Sequence, residues 1–234
     1  MRADEYPVVR RLDLFAGMDD KRFDDLLRLS FLQTFPPQLE VIRAGDPADF
    51  LYVLVEGAVE LFASSNGKET TITIVEPVSS FILAAVLNDA ALLMSARTLS
   101  KSRILMIPAQ ALRTAIAEDH ALADAAMHEL ASAYRSLVRS LKDVKLRPGI
   151  ERLANYILRE SHKQGMRNEI VLPIDKRTIA ALLSMTPENL SRAFGTLGAH
   201  GLRVNGSRVY IEDRAALERL GRPDPLIDGA DNLR

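Results

Sequence analysis

The chain has 234 residues, 30 Lys and Arg against 31 Asp and Glu, and no cysteine. At 47% hydrophobic and 26% charged, the composition excludes a disordered or collagen-like chain and suits one large domain or two small ones. Without cysteine there are no disulfides, thiolate zinc sites, cysteine nucleophiles or cysteine-ligated iron–sulfur clusters.

The first residues carry Asp4 and Glu5 and no long apolar core, so they do not spell an export signal. The most apolar stretch, Val78 to Met94, is broken by Asn88 and Asp89 and is shorter than the ~20 residues that span a bilayer. A cytoplasmic protein with no membrane partner is expected. Residues 8–31 hold Leu12, Leu14, Phe15, Phe23, Leu26, Leu27 and Leu29 at helical spacing. Residues 39–107 read as strands. Leu51, Val53 and Val55 alternate, as do Val59 and Leu61, with Gly57 as the turn between them. Thr71 to Val75 is a β-branched run after the turn signal Ser64-Ser65-Asn66-Gly67, and Ile104 to Ile107 is ended by Pro108. Short strands with Gly-containing turns predict a small barrel or jelly roll.

Residues 109–146 read as helical. From His120 an apolar seam steps 3-4-3-4 through Ala123, Met127, Leu130, Tyr134, Leu137, Leu141 and Val144. This heptad predicts a helix-to-helix dimer seam. The core helix of a monomer would carry a wider stripe, and Arg135, Ser136, Arg139, Ser140, Lys142 and Asp143 keep this one narrow. Pro148 and Gly149 end the helix and mark a boundary.

Beyond it, Ile150 to Leu158 is an amphipathic helix, Glu169–Ile174 a short strand and Thr178 to Leu183 a short helix. Thr186 is an N-cap with Pro187 at the first helical position, and Gly201 stops the helix that follows. Asn205-Gly206 between two short apolar runs spells a type I′ hairpin. Two short helices, a tight turn and a hairpin predict a winged helix-turn-helix. Glu188, Ser191 and Arg192 share one face of the second helix, where side chains reach base edges in the major groove. Arg pairs bidentately with guanine, Glu accepts from cytosine N4, and Ser bonds either. Lys176, Arg177, Thr178 and Thr186 are placed for phosphates. The charge distribution agrees. Residues 146–222 hold 13 Lys and Arg against 8 Asp and Glu, a net +5, whereas residues 1–145 carry a net −4. A basic module attached to an acidic one suits a reader of double-stranded DNA.

The order of β-roll, long helix and winged helix resembles the cyclic-AMP receptor/fumarate-nitrate regulator family of bacterial transcription factors. The resemblance covers roughly residues 10–220, with its best N-terminal segment from Gly45-Asp46-Pro47 to Val59. Glu188-x-x-Ser191-Arg192 is similar to the fumarate-nitrate regulator and FixK branch, which implies TTGA-type half-sites one helical turn apart, a homodimer and RNA polymerase as a partner. Three departures stand out. The absent cysteines exclude cluster-based oxygen sensing. Leu83-Ala84 and Met94 replace the Gly-Glu pair and the Arg that the family's cyclic-nucleotide cassette needs, so cyclic AMP is not the expected effector. Ser184 stands where the helix-turn-helix turn often has Gly.

The resulting expectation is an α+β chain with four parts. A β-roll sensor, jelly-roll-like, fills residues 1–108. Connecting and dimerisation helices fill 109–147, a winged helix-turn-helix fills 148–222, and 223–234 form a loose tail. An unidentified small-molecule effector would sit among Phe81, Leu83, Met94, Ser95 and Arg97. Haem is carried as an alternative cofactor, with His120 and His128 the only sensor-side histidines. They flank Asp124 at four-residue steps, a spacing that suits a metal, although no metal site is assigned. The other alternative is an interaction protein with a degenerate winged helix. No G-x-S-x-G, P-loop, G-x-G-x-x-G or H-E-x-x-H motif occurs, and residues 39–107 lack histidine, so no enzyme activity and no catalytic residue is expected.

Overall fold

The computed structural model describes residues 6–229. They fall into two compact units divided between Ala133 and Tyr134, and each is taken by itself. Among the described residues no helix is long and apolar enough to cross a membrane.

The first unit opens with three short helices, α1 (Tyr6–Arg10), α2 (Asp13–Ala16) and α3 (Asp20–Arg28). The Asp19 carboxylate caps α3 by accepting from the Arg22 N–H. The apolar spacing that predicts helix as far as residue 31 stops here, because β1 (Phe31–Phe35) begins almost at once. β2 (Glu40–Ile42), β3 (Phe50–Glu56), β4 (Val59–Ser65), β5 (Lys68–Val75) and β6 (Ser79–Phe81) follow. A helix, α4 (Leu83–Asn88), then interrupts the stretch expected to be all strand, entered at Ile82 (φ 65°) and left at Asp89 (φ 50°). β7 (Ser95–Thr98) and β8 (Ser102–Pro108) complete two antiparallel four-stranded sheets, ordered β1-β8-β3-β6 and β2-β7-β4-β5. Asn66 (φ 51°) and Gly67 (φ 74°) form the two-residue loop between Ser65 and Lys68, as a type I′ turn requires. Gly57 has φ 98°, and a Cβ there would sit 2.3 Å from Ser102 Oγ, so only glycine lets this turn close. Leu51, Leu54, Ile104, Leu105 and Ile107 fill the roll, and Leu112 of α5 (Ala109–Glu118) joins them. Each such side chain contributes about 1.5–3 kcal/mol of burial.

The helical stretch over 109–146 divides at Asp119, and α6 spans His120–Leu146. The Asp119 carboxylate accepts from the Leu122 N–H and, 100 residues away in sequence, from the Asp19 N–H, so it caps α6 and ties it to α3.

The second unit holds the end of α6, then α7 (Gly149–Lys163), β9 (Glu169–Val171), α8 (Lys176–Leu182), α9 (Pro187–Gly198), β10 (Leu202–Asn205), β11 (Arg208–Ile211), α10 (Arg214–Gly221) and α11 (Pro225–Asp228). Its core gathers Leu153, Ile157, Ile179, Leu190, Leu197, Val209 and Leu217. The strands order as β10-β11-β9, antiparallel. Asn205 pairs with Arg208, so the hairpin loop is Gly206-Ser207 and not Asn205-Gly206. Gly206 alone of the two has positive φ, at 62°, which fits a type II′ turn with Gly first. On the free edge of β9 the Gln164 amide donates to the Val171 carbonyl (2.8 Å) and accepts from the Val171 N–H (2.9 Å).

The loose tail expected over 223–234 is not loose in its described part. Residues 225–228 are helical, and Asp228 is only 5% exposed and ion-paired to Arg147. Burying a carboxylate requires such a partner, and a sequence scan for composition does not see one 81 residues away. Residues 230–234 lie outside the described residues.

Candidate nucleic-acid interface

α8 starts from an Asp175 cap. Its carboxylate accepts from the Arg177 and Thr178 N–H groups and from the Thr178 hydroxyl. Burial works against the charge on Asp175, but these hydrogen bonds hold its pKa below the usual carboxylate value. Thr178 is therefore corrected as a phosphate ligand: it is buried and its hydroxyl is already spent. Lys176 and Arg177 stay exposed, and the Lys176 ammonium lies 5.4 Å from the Phe194 ring.

Ser184 turns the chain between α8 and α9 at φ 52°, a left-handed conformation that costs a non-glycine residue about 1–2 kcal/mol. Its carbonyl and that of Leu183 accept from the buried Arg152 guanidinium, at 3.3 and 2.9 Å. Arg152 also donates to the Arg147 carbonyl at 2.6 Å. A cation is thus held among carbonyls that close α6 and α8, the ends of helices that favour positive charge. The apolar periodicity of α7 gives no hint of this role for Arg152. Its only sequence signal is a basic residue on the buried stripe between Ile150 and Leu153.

Thr186 caps α9, its hydroxyl accepting from the Asn189 N–H at 3.2 Å, and Pro187 takes the first turn. Leu190, Ala193 and Leu197 anchor the inner face. Glu188, Ser191 and Arg192 are brought together on the exposed face. The Glu188 carboxyl is held below its ordinary pKa by its own N–H, by the Thr186 hydroxyl and by the Arg192 charge, so at neutral pH it is an acceptor. The Arg192 guanidinium donates to Asn189 Oδ1 and keeps further N–H donors for other partners. Asn189, also exposed, is a neighbour that helical spacing alone does not flag. In the hairpin the cations are paired: Arg208 with Glu169 at 2.6 Å and Arg203 with Glu212 at 2.9 Å, Arg203 also lying 4.0 Å over the Tyr210 ring.

In the first unit the five residues expected to line an effector pocket separate into two groups. Phe81 and Leu83 are buried in the core of the roll, Phe81 stacked on Tyr52 with ring centroids 5.3 Å apart, and Met94 packs against the same core. Ser95 and Arg97 do not join them. Side chains alternate along a strand, and between these two Ala96 faces the core. Ser95 Oγ accepts from the Ala44 N–H, and Arg97 pairs with buried Glu60 and with Glu69, both at 2.6 Å, over the Phe62 ring. His120 and His128 are exposed, and among the described residues no three His, Cys, Asp or Glu gather as a metal-holding group.

Along α6, Leu122 and Ala126 are buried in the first unit, and Leu130 rests partly against its core. Met127, Tyr134, Leu137 and Leu141 are each more than half exposed, and Val144 is 42% exposed. Of the seam residues, Met127, Tyr134, Leu137, Leu141 and Val144 are the exposed ones.

The model of the cyclic nucleotide-binding domain matches residues 32–119, and that of the Crp-like helix-turn-helix domain matches residues 151–220. Together they cover more than half of the chain. A CRP-like cAMP-activated global transcriptional regulator of Mycobacterium tuberculosis is 24% identical over 221 residues, 92% of this chain and 99% of that protein. Among solved structures, FixK2 from Bradyrhizobium japonicum shares the fold at a TM-score of 0.72 and 21% identity, over 82% of this chain and 96% of that one. The c-di-GMP responsive global regulator CLP of Xanthomonas campestris does so at 0.71 and 19%, over 83% and 100%. With a β-roll, a long helix and a capped helix-turn-helix all in place, this chain belongs to the cyclic-AMP receptor/fumarate-nitrate regulator family and is a DNA-binding transcription regulator.

Proposed function

We propose that the protein works in the cytoplasm as a homodimer on a TTGA-type palindrome, and that an effector other than cyclic AMP controls it from the β-roll. The observation that carries this reading is the exposed face of Glu188, Ser191 and Arg192 at the start of α9, with Leu190, Ala193 and Leu197 fixing the helix beneath it. A major groove offers acceptors at guanine and donors at cytosine and adenine, which this set of one donor, one acceptor and one hydroxyl complements. Lys176, Arg177 and Thr186 flank the helix for phosphate contacts.

The homodimer reading rests on Met127, Leu130, Tyr134, Leu137, Leu141 and Val144. An apolar seam at heptad spacing is stable in water when a second copy covers it. RNA polymerase is the partner expected of a bound regulator in this family.

The effector reading rests on the roll. Leu83 and Met94 stand on its apolar side, Arg97 is committed to Glu60 and Glu69, and Arg113 is committed to Asp89 and the Val86 carbonyl. A cyclic phosphate there would lack its charge partner. An effector that fits the roll would shift the pairing of the two long helices and so re-aim both reading helices.

Fluorescence anisotropy on a TTGA palindrome and on scrambled DNA tests the function. Tighter binding to the palindrome, lost on scrambling, is expected. Equal binding to both, or none in low salt, overturns it. Calorimetry with cyclic AMP should show no heat of binding.

A further inference from the structure

The helix-turn-helix match ends at residue 220, and the described chain continues for nine residues. That continuation is built into the joint between α6 and α7. The Asp228 carboxylate receives Arg147 at 2.9 and 2.7 Å, Arg159 at 3.1 Å and the Asp224 N–H at 2.8 Å. Arg147 stands in the turn that closes α6 and also holds Asp143 of α6 at 3.0 Å and the Arg222 carbonyl at 3.2 Å. Lys142 of α6 donates to the Leu226 carbonyl at 3.3 Å. Arg159 belongs to α7, and α7 is tied to the end of α10 where Asn155 donates to the Gly221 carbonyl at 2.6 Å. One buried carboxylate therefore grips both sides of the bend at Pro148.

We propose that residues 222–228 form a latch that fixes the angle between the long helix and the DNA-reading helices, with Asp228 as its positioning residue. The physical argument is directional. A buried carboxylate is stable only while its cations surround it, and here they come from α6's end and from α7. Any rotation of α7 about Pro148 separates Arg159 from Arg147 and leaves charge uncompensated. Burial opposes ionisation of Asp228, yet the hydrogen bonds from Arg147 and Asp224 outweigh it and keep the group charged near neutrality. The Arg152 contacts meet the latch only at the Arg147 carbonyl and bind backbone alone.

This inference rests on the homodimer and palindrome reading. In a symmetric dimer the angle at Pro148 sets the distance between the two reading helices, and therefore the spacing of half-sites that fit. The test uses full-length wild type and Asp228→Asn on palindromes with the optimal spacer and with one base pair more or less, and on a duplex with one half-site. Wild type should prefer one spacer by at least about tenfold. Asp228→Asn should flatten that preference to within about threefold while single half-site affinity stays within twofold. A chain ending at Arg222 should flatten it likewise, and serves if the point variant folds poorly. A variant that keeps the wild-type spacer profile overturns the latch. So does a parallel loss on single and paired sites, which is what mere destabilisation would give. A wild type with no spacer preference overturns the palindrome reading itself and the latch with it.

Discussion

α6 and α9 are both amphipathic helices with one face left open, and the open faces are opposites. α6 leaves Tyr134, Leu137 and Leu141 more than half exposed among the described residues. α9 buries Leu190, Ala193 and Leu197, packs Phe194 partly against the same core, and leaves a carboxylate, a hydroxyl, an amide and a guanidinium outward. An open apolar stripe gains free energy by leaving water, so its best partner is another such stripe. An open polar face gains little from burial alone and needs a partner that returns each hydrogen bond, as the edge of a base pair does. One chain thus carries two unmet faces that cannot satisfy each other.

The double substitution Leu137→Glu and Leu141→Glu places two charges on the seam. On the homodimer reading it should abolish dimerisation at micromolar concentration, a loss of more than ~3 kcal/mol from two large apolar residues, as seen by analytical ultracentrifugation. At α9, Arg192→Ala should weaken specific binding by ~1–3 kcal/mol and leave the sedimentation of the free protein unchanged. Equal losses on specific and random DNA would mean that Arg192 contacts phosphate only. Thr186→Ala should cost about 1 kcal/mol of stability through the lost cap, read as a lower melting temperature of the second unit. Ser184→Gly should act in the other direction and stabilise by less than ~1 kcal/mol, since relief of the left-handed strain exceeds the extra backbone entropy of glycine.

A pH titration sharpens the contrast between the two units. In the first, the half-buried Glu129 carboxyl is pushed up by burial and by Asp13, against the lowering effect of its hydrogen bond from Ser80. In the second, Asp175 and Asp228 are held down. A raised carboxyl stabilises the fold below its unfolded pKa, and that contribution is lost as pH rises through its folded value. Depressed carboxyls stabilise above their unfolded pKa and lose this as pH falls through their folded values. Hydrogen exchange should therefore show the α7–α9 unit losing protection only as pH falls below about 4, whereas the stretch of α6 around Glu129 gains protection between pH 7 and pH 4. Loss of protection around Glu129 between pH 7 and pH 4, a range above the titration of the depressed Asp119 cap, would contradict the assignment of Glu129.

Much of the second unit was legible from residues alone. Caps, prolines and apolar periodicity are local, and Thr186-Pro187 with Leu190 and Leu197 placed α9 to within a few residues. The Asn-Gly hairpin shows where local reasoning stops. The same dipeptide forms the I′ loop itself at Asn66-Gly67, but at Asn205 the first residue is drawn into the strand by its pairing with Arg208. Ladder register is a property of two strands together. The contents of the roll were less legible for the same kind of reason. Arg97 is two residues from Ser95 and three from Met94, yet its direction is set by strand alternation and by Glu60, 37 residues away. Thr178 carried the right chemistry for a phosphate but was claimed by Asp175. Arg147 and Asp228, 81 residues apart, had no local signal at all.

The amide of Gln164 occupies the place beside β9 where another strand would add. A sheet edge with free N–H and C=O groups is a template for chain-to-chain pairing. Here the reciprocal bonds to Val171 use up one donor and one acceptor on that edge. On the β9 side the small sheet therefore ends in a side chain, and a strand arriving there meets a residue whose donor and acceptor are already taken.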